Sequence, residues 1–245
     1  MKDWKVLFFD KKGPSLLELA RQALSSTQKG YDLLAEKFDN TPYRTAPEIL
    51  ERVAIQLAEL GAFDSSLDIC CGTGAMTKVL LDLSSHRVVG LDISQGMMDV
   101  ARKNLASHSN NPILEFVQGE ALHLPFDEEF DVVTNFGGLG HIVNKDVPAF
   151  LDQVRKSLKP GGKFIFITTT HPPLLSLAFW RAHSFNFLIH LRNIIIKPPF
   201  VMYYLTFLLP KVKVQLEEKG FDVEVRPDIF SKPFHNFKLI LATKK

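Results

Sequence analysis

Cysteine is nearly absent: of 245 residues two are cysteine, the neighbours Cys70 and Cys71. A disulfide framework is therefore excluded, and a reducing, cytoplasmic setting is expected. Excess charge is also lacking. Lys and Arg number 29 against 27 Asp and Glu, a formal net charge of +2, without the clustered basic excess of a nucleic-acid footprint. No charge-free stretch reads as a clean membrane span. At the start of the chain Asp3 and Asp10 flank the short apolar run at 6–9, which does not read as a signal peptide. Internal repeats and low-complexity tracts are missing, and no metal site is expected. With 46% hydrophobic residues, the chain is long enough for one sizeable α/β domain with accessories.

What is there is organised around Leu67-Asp68-Ile69-Cys70-Cys71-Gly72-Thr73-Gly74. The apolar run ending at Ile69 reads as a buried strand. Gly72 and Gly74 permit a tight turn and close approach of backbone to a ligand. From Ala75 to Leu83, Met76, Val79, Leu80 and Leu83 fall at helical spacing. Strand, glycine turn and helix together present helix N-terminal N–H groups at the strand's carboxyl end. A second strand, Arg87–Asp92, ends in an acid eighteen residues past Gly74. A carboxylate at that tip lies across the crevice from the glycine turn and can bond both hydroxyls of a ribose. The pattern points to an adenosine-containing ligand.

Two features weigh against a dinucleotide. The third small residue of a dinucleotide fingerprint is Thr77 here. Asp68, at the tip of the first strand, would repel a pyrophosphate and suits a ligand with an ammonium group. With these residues the chain resembles the class I S-adenosylmethionine-dependent methyltransferases, whose first motif is an acid followed by Gly-x-Gly-x-Gly. Asp68, Gly72 and Gly74 match it, and Cys70 replaces its first glycine. A cysteine fits there where φ stays negative, so a negative φ is expected.

The resemblance implies roles for further residues. Asp68, Cys70, Gly72 and Gly74 would hold the methionine end and Asp92 the ribose, and Ile93 and Met97 would lie against the adenine, with ordinary helix packing as their competing reading. Glu120 with Ala121 replaces the family's Asp-Ala, which reads the adenine edge. Backbone at Asn135 and Phe136, after a fourth strand at Phe130–Asn135, would approach the methionine half, since the glycines of Phe136-Gly137-Gly138 leave the strand end open. That stretch is not Asn/Asp-Pro-Pro-Tyr, which counts against methylation of exocyclic base nitrogens. His141 is the one candidate for a base near the methyl group, and a histidine bonded to backbone beneath the site is the competing reading. No base is needed if positioning supplies the rate.

The rest of the chain reads as accessories to this core. Residues 1–60 hold three helices: one from an N-cap at Ser15 to about Ser26, one at Tyr31–Phe38, one at Ala46–Leu60 with Gly61 as its C-cap. In the resembling family such a segment lies over the cofactor as a lid, which would bring Tyr31, Phe38, Tyr43 and Arg44 to the ligand. Aromatic packing onto the core is the alternative. A third strand is expected at Ile113–Gln118 after a turn at 110–112, a helix at Phe150–Leu158, a fifth strand at Lys163–Thr168, a helix at Lys211–Lys219, and strands at Phe221–Arg226 and Phe237–Thr243. The fold expected is α/β, a doubly wound, mostly parallel, seven-stranded sheet over 61–245.

Residues 171–210 stand apart. They contain no Asp or Glu, three basic residues (Arg181, Arg192, Lys197) and many large apolar ones. One reading is a helical cap burying its own core or a dimer surface. The other is a cover for an apolar substrate that touches a membrane surface, its basic residues meeting anionic headgroups. Cys70 to Gly74, Glu120-Ala121-Leu122 and Phe136-Gly137 also resemble quinone-ring C-methyltransferases, whose Arg-Asn pair after the fourth strand is His141-Ile142 here. The function expected is methyl transfer from S-adenosylmethionine, leaving S-adenosylhomocysteine, to a small apolar, lipid-like or quinone-type acceptor. A non-catalytic S-adenosylmethionine-binding subunit and an NAD-dependent oxidoreductase are the rivals.

Overall fold

The computed structural model describes residues 12–108 and 112–245. The apolar run at 6–9 and the turn residues Asn110 and Asn111 lie outside them. Seven strands, β1 (Phe63–Ile69), β2 (Ser84–Asp92), β3 (Ile113–Gln118), β4 (Phe130–Asn135), β5 (Leu158–Thr168), β6 (Phe221–Arg226) and β7 (Lys238–Lys244), form one sheet. Its order is β3-β2-β1-β4-β5-β7-β6. The first five run parallel, and β7 enters antiparallel between β5 and β6. The order reverses at β1, which has β2 on one side and β4 on the other. A crevice opens at such a point, because the crossovers on its two sides leave toward opposite faces.

The parallel strands need cover on both faces, and alternate side chains supply it. Leu67, Ile69, Val89, Leu91, Val133, Phe164 and Phe166 project to one face. They pack there with Phe150, Leu151 and Val154 of α6 (Val147–Ser157) and Val212 and Leu216 of α8 (Lys211–Glu218). Val88, Val132 and Ile165 project to the other. They meet Val53 and Leu57 of α3 (Pro47–Ala58) and Met76 and Leu80 of α4 (Ala75–Leu83). α5 (Gln95–Leu105) follows β2, capped by Ser94, whose hydroxyl accepts from Met97 N.

Most predicted boundaries hold to within a few residues; β5 begins five residues before the expected Lys163, at Leu158, and two helices shift for visible reasons. The helix expected at Tyr31–Phe38 is α2 (Thr27–Leu34) followed by a 3-10 turn at Ala35–Asn40. Ser26 supplies its N-cap, and Gly30 stays helical because it is a contact point: a Cβ there would fall 3.0 Å from both Gln22 O and a Phe200 ring carbon. α6 begins three residues before Phe150, at Val147, with Pro148 in its first turn, where a missing N–H costs nothing. Ser15 caps α1 (Leu16–Leu24) reciprocally with Glu18, as a capping box does.

The segment 171–210 forms one long helix, α7 (Leu177–Ile195), and a returning loop. Its inner face carries Phe185, Asn186, Ile189, Arg192 and Asn193, none of them exposed. Asn186 bonds both N and O of Tyr204, and Asn193 bonds both N and O of Phe200. Arg192 donates to Ala23 O, Ser25 O and Pro198 O, tying α7 to the N-terminal helices. The outer face does not bury a core of its own: Leu177, Trp180, Phe187, Leu188, Ile194 and Ile195 are each 60% or more exposed.

Candidate active site

The site grows from the turn after β1. Cys70, Gly72 and Gly74 take φ of 57°, 53° and 88°. The negative φ expected of Cys70 is therefore wrong. The cysteine occupies the left-handed region that the family's glycine allows, at a cost of about 1–2 kcal/mol for a side-chain-bearing residue. Packing holds it there. A Cβ at Gly138 would lie 2.7 Å from Cys70 Sγ and 2.8 Å from Asn135 Oδ1, so the bareness of Gly138 makes room for the cysteine. Asn135 fixes the same loop by accepting from Gly138 N at 2.9 Å, while its Nδ2 is buried without a nitrogen or oxygen partner. The open strand end expected at Gly137-Gly138 is thus filled, and Phe136 O accepts from Thr45 Oγ1. Gly74 caps α4, where a Cβ would meet Leu105 at 3.0 Å and Ala101 at 3.2 Å. At Gly72 a Cβ would meet nothing within 4 Å, so this part of the turn faces open space.

Asp68 is 1% exposed and receives Thr77 Oγ1 at 2.7 Å and Thr134 Oγ1 at 3.0 Å. Burial pushes its carboxyl up to about 7, against the hydrogen bonds that pull it down. Thr77, read from sequence only as a missing glycine, is thus part of the site. Asp92 accepts from Gly72 N and Ser94 N, both at 2.9 Å, bridging the glycine turn and the start of α5. Burial also raises its carboxyl, offset by those N–H donors. Two buried carboxyls therefore flank the glycine turn, and among the described residues no basic side chain is bonded to either.

The remaining predicted residues divide. Ile93 is half-buried beside Asp92, and its carbonyl accepts from Gln118. Met97 is 2% exposed and packs beneath Ala35, Tyr31 and Phe38, away from open space. Glu120 is 63% exposed and pairs with His123 at 3.5 Å, while Ala121 rests on the core.

The N-terminal helices lie across the crevice on polar points that carried no sequence signature. Asp32 receives Ser94 Oγ at 2.6 Å and Gly96 N at 2.9 Å, placing a carboxylate at the N-terminus of α5, which its dipole favours. Asp39 receives Thr73 Oγ1 at 2.6 Å on the glycine turn itself. Tyr31 reaches furthest in: its hydroxyl meets His141 Nε2 at 3.0 Å, and His141 Nδ1 meets Val201 O. Burial lowers the pKa of His141 and raises that of Tyr31, keeping both neutral. His141 bonds backbone, as one of its two readings has it, and also a side chain. Of the other aromatics, Phe38 and Tyr43 join Tyr31, Phe185, Ile189, Phe200 and Met202 around a cavity of about 180 Å³ between the N-terminal helices and α7.

Residues 67–162 match the family described as methyltransferase domain. A demethylmenaquinone methyltransferase of Lactococcus lactis is 42% identical over 116 residues, 45% of this chain and 44% of that protein. One from Symbiobacterium thermophilum is 32% identical over 169 residues, 67% of this chain and 58% of that protein. The chain spans about half the length of the curated relatives it matches. Among solved structures, the N-methyltransferase NodS of Bradyrhizobium japonicum in complex with S-adenosyl-L-homocysteine superposes with a TM-score of 0.62 at 16% identity, over 90% of this chain and 99% of that one. The match to a methyltransferase domain covers residues 67–162, and the seven-stranded sheet that contains them is the fold shared with that solved methyltransferase structure.

Proposed function

We propose that this chain transfers a methyl group from S-adenosylmethionine to a small, apolar, lipid-like acceptor of quinone type. The observation that supports the reading is a pair of unlike half-sites linked through Tyr31, a wall of the cavity whose hydroxyl meets His141 beyond β4. One is the glycine turn with Asp68 and Asp92; the other is the aromatic cavity under α7. The cofactor would bring an already activated methyl group on a sulfonium centre. This chain's residues fit such a cation. The carboxyl of Asp68 is held up by burial, and a positive charge nearby would relieve that. Gly72 leaves room above the turn, and Asp92 stands at the tip of β2 within reach of ribose hydroxyls. Glu120 would have to turn inward from its exposed position to read an adenine edge. The rest of the chemistry is positioning, which can supply much of the rate when the acceptor is held in line.

The acceptor class rests on the cavity walls and on the names of the relatives, two of which are demethylmenaquinone methyltransferases. α7 extends the reading to a lipid surface. Its outer face is an apolar stripe with Trp180 and Phe187, its inner face lines the cavity through Phe185 and Ile189. Residues 171–210 carry Arg181 and Lys197 and no acid, which suits anionic headgroups. Among the described residues no helix is long and apolar enough to cross a membrane, so α7 would lie on the surface.

Calorimetric titration with S-adenosylmethionine, S-adenosylhomocysteine and NAD tests the cofactor half. Binding of the first two in the micromolar range or tighter, with none for NAD, is expected; binding of NAD alone overturns the reading. Sedimentation with vesicles tests the surface half. Retention on anionic but not on neutral vesicles is expected, and a dimer without vesicle binding would assign the stripe to a second copy of the chain.

A further inference from the structure

Tyr31 belongs to no motif of the cofactor turn, yet it is the best-braced side chain of the N-terminal helices. Its ring stacks on Phe200 (centroids 6.2 Å, 18° between planes) and meets His141 edge-on at 5.1 Å and Phe38 at 6.1 Å. The ring is a wall of the apolar cavity, and so is Met202, whose sulfur lies 4.0 Å from the Tyr31 hydroxyl. The hydroxyl therefore stands at the cavity's edge in a fixed orientation.

The direction of its hydrogen bond follows from elementary chemistry. Val201 O has no proton to give, so Nδ1 of His141 must carry one and donate it. In the neutral ring Nε2 is then a bare acceptor, and Tyr31 donates its single proton to it. With its proton committed, the Tyr31 oxygen can only accept in any further bond. Met202 cannot satisfy it, because a thioether has no proton.

We infer that Tyr31, with its proton held by His141, is a specificity-determining residue that selects acceptors bearing a hydroxyl or N–H group over those presenting only carbonyl or ether oxygens. Tyr31 would touch the acceptor; His141 would act through Tyr31 as a positioning residue. The inference rests on the cavity being the acceptor pocket of the proposed methyl transfer. Burial supports it by holding His141 neutral and the Tyr31 phenol protonated.

The test compares 2-naphthol with 2-methoxynaphthalene, alike in shape but differing in the donor, by calorimetry on the whole protein with S-adenosylhomocysteine present. The natural chain should bind the naphthol about tenfold more tightly. Tyr31→Phe should bind both about equally while keeping its S-adenosylhomocysteine affinity. His141→Asn retains a donor toward Val201 but loses the acceptor for Tyr31, which frees the phenol proton and should move the preference toward the ether. A merely structural role for His141 would weaken both ligands alike. In ¹⁵N-labelled protein, His141 should show a protonated Nδ1 and a bare Nε2 at neutral pH. Equal binding of the two compounds by the natural chain, failure of both to bind, or a preference surviving in Tyr31→Phe would overturn the inference. Loss of S-adenosylhomocysteine binding in the natural chain would instead strike the methyl-transfer reading, so the two failures are distinguishable.

Discussion

The two halves of the site are built by different means. On the β1/β2 side, position comes from the sheet: backbone N–H groups, threonine hydroxyls and two carboxyls are locked by strand register and by residues of left-handed φ. On the α7 side, position comes from side chains laid over an apolar cavity, and the outer face of the helix leaves large apolar side chains exposed. The first half tolerates little substitution because its carboxyls are buried and held by backbone N–H groups and threonine hydroxyls. The second tolerates much on its outer face and little on its inner one. A polar ligand needs fixed donors and acceptors, whereas an apolar ligand needs volume and exclusion of water.

Substitutions can sharpen that contrast or erase it. The largest effect is expected in the sheet's core: Phe150→Ala removes a fully buried ring and should cost about 3–5 kcal/mol in chemical denaturation. Gly138→Ala comes next, at about 2–3 kcal/mol, since its Cβ would overlap Cys70 and Asn135. Adding Cys70→Gly should return most of that loss, and a double variant no more stable than Gly138→Ala would break the account of Cys70's brace.

A pH series gives the third effect. The Asp68 carboxyl titrates near 7 in the folded chain against 3.8 ordinarily. The folded state therefore binds more protons than the unfolded one between those values. Its contribution to stability is greatest below about 4 and is lost as pH rises through about 7. Thermal midpoints of the natural chain minus those of Asp68→Asn should fall across that window, and a flat difference would remove Asp68 from it. Since a cationic ligand favours the ionised carboxyl, affinity for S-adenosylmethionine should drop below pH 7 by up to about tenfold per pH unit. The smallest effect on stability belongs to α7. Phe187→Ser, on the outer stripe, should stay within about 0.5 kcal/mol while weakening retention on anionic vesicles. A loss comparable to Phe150→Ala would mean the stripe is buried in solution.

The same contrast decides what the sequence could reveal. β1, α4 and the Asp92 strand were legible because a chain turning under a ligand at a switch point needs glycines and a tip acid at set spacings. The strand pattern followed from short apolar runs bounded by turn residues. Asp32, Asp39, Thr45 and Thr73 were illegible because their partners lie 34 to 91 residues away and no local rule demands them. Tyr31 and His141 were visible singly, but their contact spans 110 residues and only the fold brings them together. Cys70 went astray because the side chain it carries was weighed without the glycine opposite. Glu120 and Met97 were placed by analogy; Met97 packs beneath Ala35, Tyr31 and Phe38, and Glu120 is exposed beside His123.

α7 carries a consequence for how a helix knows which way to face. Most surface helices are oriented by a polar side and an apolar side, so turning one by a residue, about 100°, exposes what should be buried. α7 carries large apolar side chains on both sides, Phe185 and Ile189 within and Trp180 and Phe187 without, so such a turn would exchange some apolar side chains for others. What remains to set its rotation are the polar pegs: Asn186 on Tyr204, Asn193 on Phe200, and Arg192 on the carbonyls of Ala23, Ser25 and Pro198. Each would lose its partners after a turn of 100°, leaving backbone donors and acceptors of the 198–204 loop unmatched. The helix is thus keyed like a lock barrel by three side chains, and through them the cavity beneath keeps its shape whatever medium wets the outside.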